Sequence, residues 1–311
     1  MVDADFRDRI LTALHRKPLD IPVIAVTGGK GGVGKSTLSV NIAAALTAMG
    51  YRVSLMDADV DAPDDHIMLG ITLEEPLDVT INVPLIDAGK CTGCRRCIDA
   101  CRRNALFQPP DGVPMLIGDC NGCEACMLAC PDDAIGKDRK RVGETYLSEK
   151  DRLLLFTGKL LPGAEESSMV VNALRQRLYD SVGGSEVVLI DTSPGIHCNV
   201  INALRGSDSV YAVTEPTPLG VHDLERTLKL LYALRLRTRI ILNFSDLPGP
   251  REKINVMAEA FDAEISFELP LDNLLLKSHV EGVPAVTMFP DAISSTSMRR
   301  IAEDIAGEYL Q

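Results

Sequence analysis

Short apolar runs recur along the chain, and each ends on polar or charged residues. Ile21 to Val26 runs into a glycine-rich stretch, Arg52 to Met56 into Asp57, and Glu186 to Ile190 into Asp191. Two more, starting at Val210 and Arg239, end near Glu215 and Asn243. Runs this short, without alternation, suit strands buried on both faces, as in a parallel sheet. After the first of them, Leu38 to Met49 has helical patterning and stops at Gly50. Strands thus alternate with helices from Ile21 to Asp78 and again from about Leu153 onward. This predicts an α/β fold, a mostly parallel sheet with helices on both faces.

Between Val83 and Arg141 the alternation stops and eight of the nine cysteines appear. They form two runs of identical spacing, Cys91, Cys94, Cys97, Cys101 and Cys120, Cys123, Cys126, Cys130, the second closed by Pro131. Three thiolates at two-residue gaps wrap one cubane iron–sulfur cluster, while the fourth is carried away by the next turn to the other cluster. The expected ligand sets are Cys91, Cys94, Cys97 and Cys130 for one 4Fe-4S cluster, and Cys120, Cys123, Cys126 and Cys101 for the second. Zinc is the competing metal, but triple Cys-x-x-Cys spacing repeated with the same fourth offset suits it poorly. The paired runs are an internal repeat, and so short a unit depends on its clusters because it has little core of its own. The expected organisation is an inserted α+β two-cluster ferredoxin-like domain over 83–141, interrupting a domain made of 1–82 and 142–311.

Composition narrows the function. A net charge of −12 argues against a nucleic-acid-binding surface. From Asp87 to Arg141, however, nine Lys or Arg face eight acids, so the cysteine segment is the locally basic part of an acidic protein. Those cations offset cluster charge or, alternatively, form a docking face for an acidic redox partner protein. No apolar run approaches the roughly 18 to 20 residues of a membrane span, and the first twenty residues carry no leader pattern. A cytoplasmic protein with reduced cysteines is the expectation.

The first glycine-rich stretch contains Gly-x-x-x-x-Gly-Lys-Ser, with glycines where backbone amides must turn toward phosphate oxygens. Lys35 is expected on the β and γ phosphates and the Ser36 hydroxyl on Mg²⁺, with Asp191 holding the ion through water. Gly29-Lys30-Gly31-Gly32-Val33-Gly34-Lys35-Ser36-Thr37 resembles the deviant P-loop of the MinD, ParA, Mrp and nitrogenase iron protein superfamily. The resemblance implies a MinD-like P-loop NTPase that binds ATP or ADP through these nine residues and pairs into a nucleotide-dependent homodimer. It further implies that Lys30 reaches the partner's phosphates, that Asp59 positions the attacking water, that the Gly195 amide senses the γ phosphate, and that Asn243 contacts adenine. Lys30, Lys35 and Asp59 are the catalytic candidates. Asp61 is an outer-sphere Mg²⁺ candidate and Asp57 a structural one.

Cys198 stands apart from the two runs. The nitrogenase iron protein has a cluster-ligating cysteine at this offset, but a shared cluster needs two ligands per chain, so Cys198 is expected to be a small buried residue opening a helix. The functional expectation is a Mg-dependent ATPase that couples dimer switching to electron transfer through two clusters. An iron–sulfur carrier of Mrp type and a MinD- or ParA-like positioning ATPase are the alternatives.

Overall fold

The computed structural model describes residues 19–310; residues 1–18, most of the stretch expected to carry no leader pattern, and residue 311 lie outside the described part. The strands are β1 (Val23–Thr27), β2 (Val53–Ala58), β3 (Leu77–Ile86), β4 (Leu106–Phe107), β5 (Met115–Leu116) and β6 (Ile135–Lys150). They continue with β7 (Leu153–Leu160), β8 (Val187–Thr192), β9 (Ser209–Thr214), β10 (Thr238–Asn243) and β11 (Glu264–Leu269). Nine of them form one sheet in the order β11-β10-β9-β1-β8-β2-β7-β6-β3. From β11 to β7 every neighbour is parallel, and β6 and β3 extend that edge antiparallel.

Helices cover both faces because the central strands are apolar on both. Val23 and Ala25 pack into a core with Leu174, Leu178, Leu224 and Leu228, while Ile24 and Val26 pack into another with Leu38, Ile42, Leu46, Ile301 and Ile305. The helix after β1 spans Lys35–Ala48, starts three residues earlier than the apolar pattern indicated, and gives way to Gly50 at φ 102°. Its first turn is polar because it faces the phosphate loop, so the hydrophobic pattern could not mark its start.

The expected limits of the insert, at 83 and 141, fall inside paired strands. The β3–β6 ladder runs from Leu77↔Thr145 to Ile86↔Ile135, with Val83 opposite Asp138 and Thr80 opposite Arg141. Val79, Ile81 and Val83 are buried on one face, whereas the charges of 137–141 lie on an exposed edge. That run of charge concealed a 16-residue strand. Only residues 87–134 leave the sheet, and the Asp87 N–H to Ala134 carbonyl bond, 2.8 Å, closes their base.

The excursion repeats its backbone. Gly93 and Gly122 share positive φ (71° and 72°), as do Arg95 and Glu124 (63° and 59°), and Asn104 and Asp133 (51° and 49°). A short helix follows each bend, at Arg96–Ala100 and Ala125–Leu128, and β4 pairs with β5 beside them. Its small core of Cys97, Leu106, Cys126 and Ile135 contains two of the cysteines.

Candidate functional site

The parallel sheet delivers the phosphate loop and two aspartates to the carboxyl ends of adjacent strands, the ligand-binding end of such sheets. Gly34 closes the loop at φ 97°, and a Cβ there would sit 2.5 Å from the Asn243 amide nitrogen. Gly34→Ala is therefore expected to cost about 1–3 kcal/mol through backbone strain and displacement of Asn243, seen as a lower denaturation midpoint in urea. At Gly29 a Cβ would lie 2.7 Å from the Asp223 carbonyl, so this part of the loop is wedged against the helix Pro218–Ala233. Lys35, 6% exposed, folds its ammonium back toward the Lys30 carbonyl at 3.4 Å. Among the described residues, Gly31 and Gly32 have no neighbour where a side chain would stand.

Several expected contact groups are already engaged inside the chain. Ser36 Oγ donates to Asp191 at 2.7 Å, which brings the two expected Mg²⁺ contacts together. The Gly195 N–H donates to the Gly28 carbonyl at 3.1 Å, and the Thr37 hydroxyl lies 3.2 Å from His279 Nε2. The Asn243 side-chain amide donates to the Val33 carbonyl at 2.8 Å and its oxygen accepts from the Phe244 N–H at 3.0 Å. Asn243, expected on adenine, thus braces the phosphate loop. Lys30 Nζ is held at 2.7 Å by Glu215, which the Thr217 hydroxyl also approaches at 2.8 Å. Burial acts to raise the Glu215 carboxyl, but the hydrogen bonds from Lys30 and Thr217 outweigh it and hold it below the usual carboxylate range.

Strand register puts Asp57 directly opposite Asp191. Burial pushes Asp191 up to about 7, against the hydrogen bonds of Ser36 and Ser39 and the charge of Lys35. Asp59, half-buried, is also raised by burial, with Lys35 and a Ser193 hydrogen bond opposing. Asp61 is exposed. Glu215, His279, Ser39 and Asp65 are neighbours that motif reading did not assign; only Glu215, at a strand end, carried any local signal.

The eight clustered cysteines divide between two cavities. One is lined by Cys91, Cys94, Cys97 and Cys130, and the other by Cys101, Cys120, Cys123 and Cys126. Each therefore takes three thiols from one run and the fourth from the other. The Ala105 and Ala134 N–H groups lie 3.3 Å from the sulfurs of Cys101 and Cys130. Burial raises the Cys97 and Cys126 thiols. Cys198 opens the helix Cys198–Leu204 as expected but is exposed, a correction to the buried role, because it stands at the outer edge of the first turn while Val200, Ala203 and Leu204 face the core.

The sequence matches the CobQ/CobB/MinD/ParA nucleotide binding domain over residues 24–285. The chain belongs to this family. An uncharacterized protein of Methanocaldococcus jannaschii is 32% identical over 267 residues, covering 85% of this chain and 91% of that protein. The iron-sulfur cluster carrier protein of Methanococcus maripaludis is 25% identical over 299 residues, covering 91% of this chain and 83% of its own length. Among solved structures, the septum site-determining protein MinD complexed with Mg-ADP from Pyrococcus horikoshii matches with TM-score 0.58 at 18% identity, over 92% of this chain and 96% of MinD. The family's nucleotide-binding, mostly parallel α/β fold is the fold of this chain, and no helix among the described residues is long and apolar enough to cross a membrane.

Proposed function

We propose that this chain is a Mg-dependent ATPase whose nucleotide-driven pairing with a second copy governs electron transfer through two 4Fe-4S clusters held by an inserted ferredoxin-like unit. The observation that carries the reading is the division of eight thiols into two cavities with exchanged fourth members. Four thiols converging on one cavity suit a cubane cluster, and the N–H groups aimed at Cys101 and Cys130 sulfur favour thiolate ligands there. When bound, such clusters accept and pass on single electrons.

At the carboxyl ends of the parallel strands, the loop amides and Lys35 would grip the phosphates, with Ser36 and Asp191 at Mg²⁺ and Asp59 beside the attacking water. Gly195 would exchange its bond to Gly28 for the γ phosphate, shifting the turn that precedes Cys198. Coupling has a continuous route: Asp191 pairs with Asp57, Asp57 with Thr157, and Thr157 with Tyr146 of β6, whose first residue adjoins Ala134. At about 3.3 Å per residue, Tyr146 stands roughly 35 Å along β6 from the cysteine cavities. Coupling is therefore proposed to act through movement of the excursion or through a second copy.

Titrating the cluster potentials anaerobically, with and without a non-hydrolysable ATP analogue, tests the coupling. A nucleotide-dependent shift in potential or in transfer rate to a partner protein is expected, and identical values in both conditions would sink it. A second reading, an iron–sulfur cluster carrier, is favoured by the relatives of that name and by the exposure of one cysteine in each set, Cys94 and Cys123. Rapid transfer of iron and sulfide to an apo-ferredoxin would place it first.

The Lys30–Glu215 pair adds a prediction. If Lys30 serves a partner's phosphates, Glu215 restrains it in the single chain. With solvent reaching Lys30, 34% exposed, the restraint is worth at most about 1 kcal/mol. Glu215→Gln is expected to tighten ATP-dependent pairing by about fivefold per site, measured by sedimentation; unchanged or weaker pairing would show that Glu215 does not hold Lys30 back.

A further inference from the structure

The two cysteine cavities stand at different distances from the parallel strands. The first, with Cys91, Cys94, Cys97 and Cys130, is walled by Ile86 and Ile135, which pair at the far end of the β3–β6 ladder. The second, with Cys101, Cys120, Cys123 and Cys126, is walled by Asn82 and Pro84, so it begins about 13 Å nearer along β3. Cys120 also packs against the sheet core that contains Val60, Ile81 and Leu174, and among the described residues no cysteine of the first cavity does. Contact is close there, since a Cβ on Gly122 would lie 3.0 Å from the Ile81 side chain.

That core also holds the turn that carries Asp59. Val60, the next residue, is buried, and a Cβ on Gly158 of β7 would sit 2.6 Å from its side chain. The Val60 carbonyl accepts the Leu160 N–H at 2.8 Å, and the Leu161 N–H donates to the Val142 carbonyl of β6 at 2.9 Å. Interiors packed this closely transmit displacement instead of absorbing it, so movement of Asp59 is carried to the end of β7. The turn that follows ends in Glu165 and Glu166, just before the helix Ser167–Ser181. Buried Glu166 faces Lys140 of β6 at 3.5 Å, while the Glu165 carboxylate accepts from the Arg103 guanidinium at 3.1 Å. Arg103 lines the second cavity, two residues after Cys101. Between the Asp59 turn and the cavity wall stand one hydrogen bond, one short turn and one ion pair.

On the electron-transfer reading above, we infer that Arg103 is a positioning residue through which the nucleotide turn adjusts the potential of the cluster held by Cys101, Cys120, Cys123 and Cys126, and of that cluster alone. A cation beside a cluster favours its reduced, more negative form and so raises its potential, and a carboxylate paired with that cation cancels part of the effect. While Glu165 holds Arg103, the guanidinium charge is partly neutralised. When the turn moves, that charge acts on the cluster unopposed. The two side chains are 48% and 65% exposed, so solvent screening limits the effect to a change of up to about fivefold in the balance of reduced and oxidised cluster, or about 40 mV at 59 mV per tenfold.

Anaerobic dithionite titration of the full chain, followed by the EPR of the reduced clusters, tests this, with Cys94→Ser supplying the signal of the second cluster alone and Cys123→Ser that of the first. A non-hydrolysable ATP analogue is expected to shift the second cluster and leave the first unchanged. Glu165→Gln, which touches no thiol, is expected to raise the second cluster's potential without nucleotide and to abolish its response to the analogue. Arg103→Gln is expected to lower that potential and to abolish the response likewise. Hydrogen exchange provides a readout apart from redox: the analogue should alter exchange at Leu160 and Leu161 in the unaltered protein and in both variants, but at residues 101–107 only where Arg103 and Glu165 are both present. Equal shifts in the two clusters, or a full response in Glu165→Gln, overturn the role of Arg103 and leave nucleotide coupling intact. A shift in neither cluster sinks the electron-transfer reading and the role of Arg103 with it, so the two failures are distinct.

Discussion

Cys130→Ser is expected to remove iron from the cavity lined by Cys91, Cys94 and Cys97, not from the one lined by its own sequence neighbours Cys120, Cys123 and Cys126. The Cys130 sulfur shares the first cavity, and Cys101 makes the reciprocal crossing. With one thiolate gone, iron is expected to fall from about eight to about four atoms per chain. Pairing the substitutions identifies which cluster is lost, because residues that act as a unit are non-additive. Cys130→Ser with Cys94→Ser should lose no more iron than either change alone, whereas Cys130→Ser with Cys123→Ser should lose nearly all of it. If the second pair retains about half its iron, the crossed assignment is wrong. Since Cys97 and Cys126 also belong to the small core around Leu106 and Ile135, loss of both clusters should expose residues 87–134 to protease while the nine-stranded sheet stays folded.

The second large effect concerns Lys30. Its removal is expected to lower ATP hydrolysis by about 10³-fold or more, the scale for a cation that stabilises transferring phosphoryl charge from a second chain, with nucleotide binding retained through Lys35. Asp59→Ala should be comparably inactive for a different reason, loss of the group beside the attacking water. Mixing the two variants separates action within a chain from action across chains. If Lys30 works across the pair, a mixed dimer has one complete site, with Asp59 from the Lys30→Ala chain and Lys30 from the Asp59→Ala chain. Half of the randomly assorted dimers are mixed, so about a quarter of the original activity should return. In a chain that uses its own Lys30 nothing returns. The Glu215 contact shows that the ammonium can be held within a single copy, so recovery on mixing is a direct test of where it acts.

Much of this protein was legible before folding because its chemistry sits in local sequence. The phosphate loop is one contiguous stretch, and its glycines are needed where backbone turns sharply or approaches another chain segment closely, as at Gly34 and Gly29. The aspartates announce themselves as polar residues ending apolar runs, and Asp57 and Asp191 do lie side by side. The cysteine repeat is also visible in spacing, and its backbone repeats with it. What escaped the sequence is what depends on pairing. Strand β6 was hidden under Lys137, Arg139, Lys140 and Arg141, since that half of it pairs with β3 alone and its charges are largely exposed to solvent. The brace from Asn243 to Val33 likewise escaped it, because a strand end distant in sequence packs beside the loop.

Sequence by itself determined the nucleotide-binding character of the chain, the alternation of strands and helices on either side of the cysteine segment, and the two four-cysteine runs, since each rests on spacing between near neighbours. Tertiary structure decided which thiols share a cavity, that Lys30 is held by Glu215, and that Arg103 is paired with Glu165. Those relations join residues far apart in sequence. They arise only when strands pair in one register and helices close over the sheet.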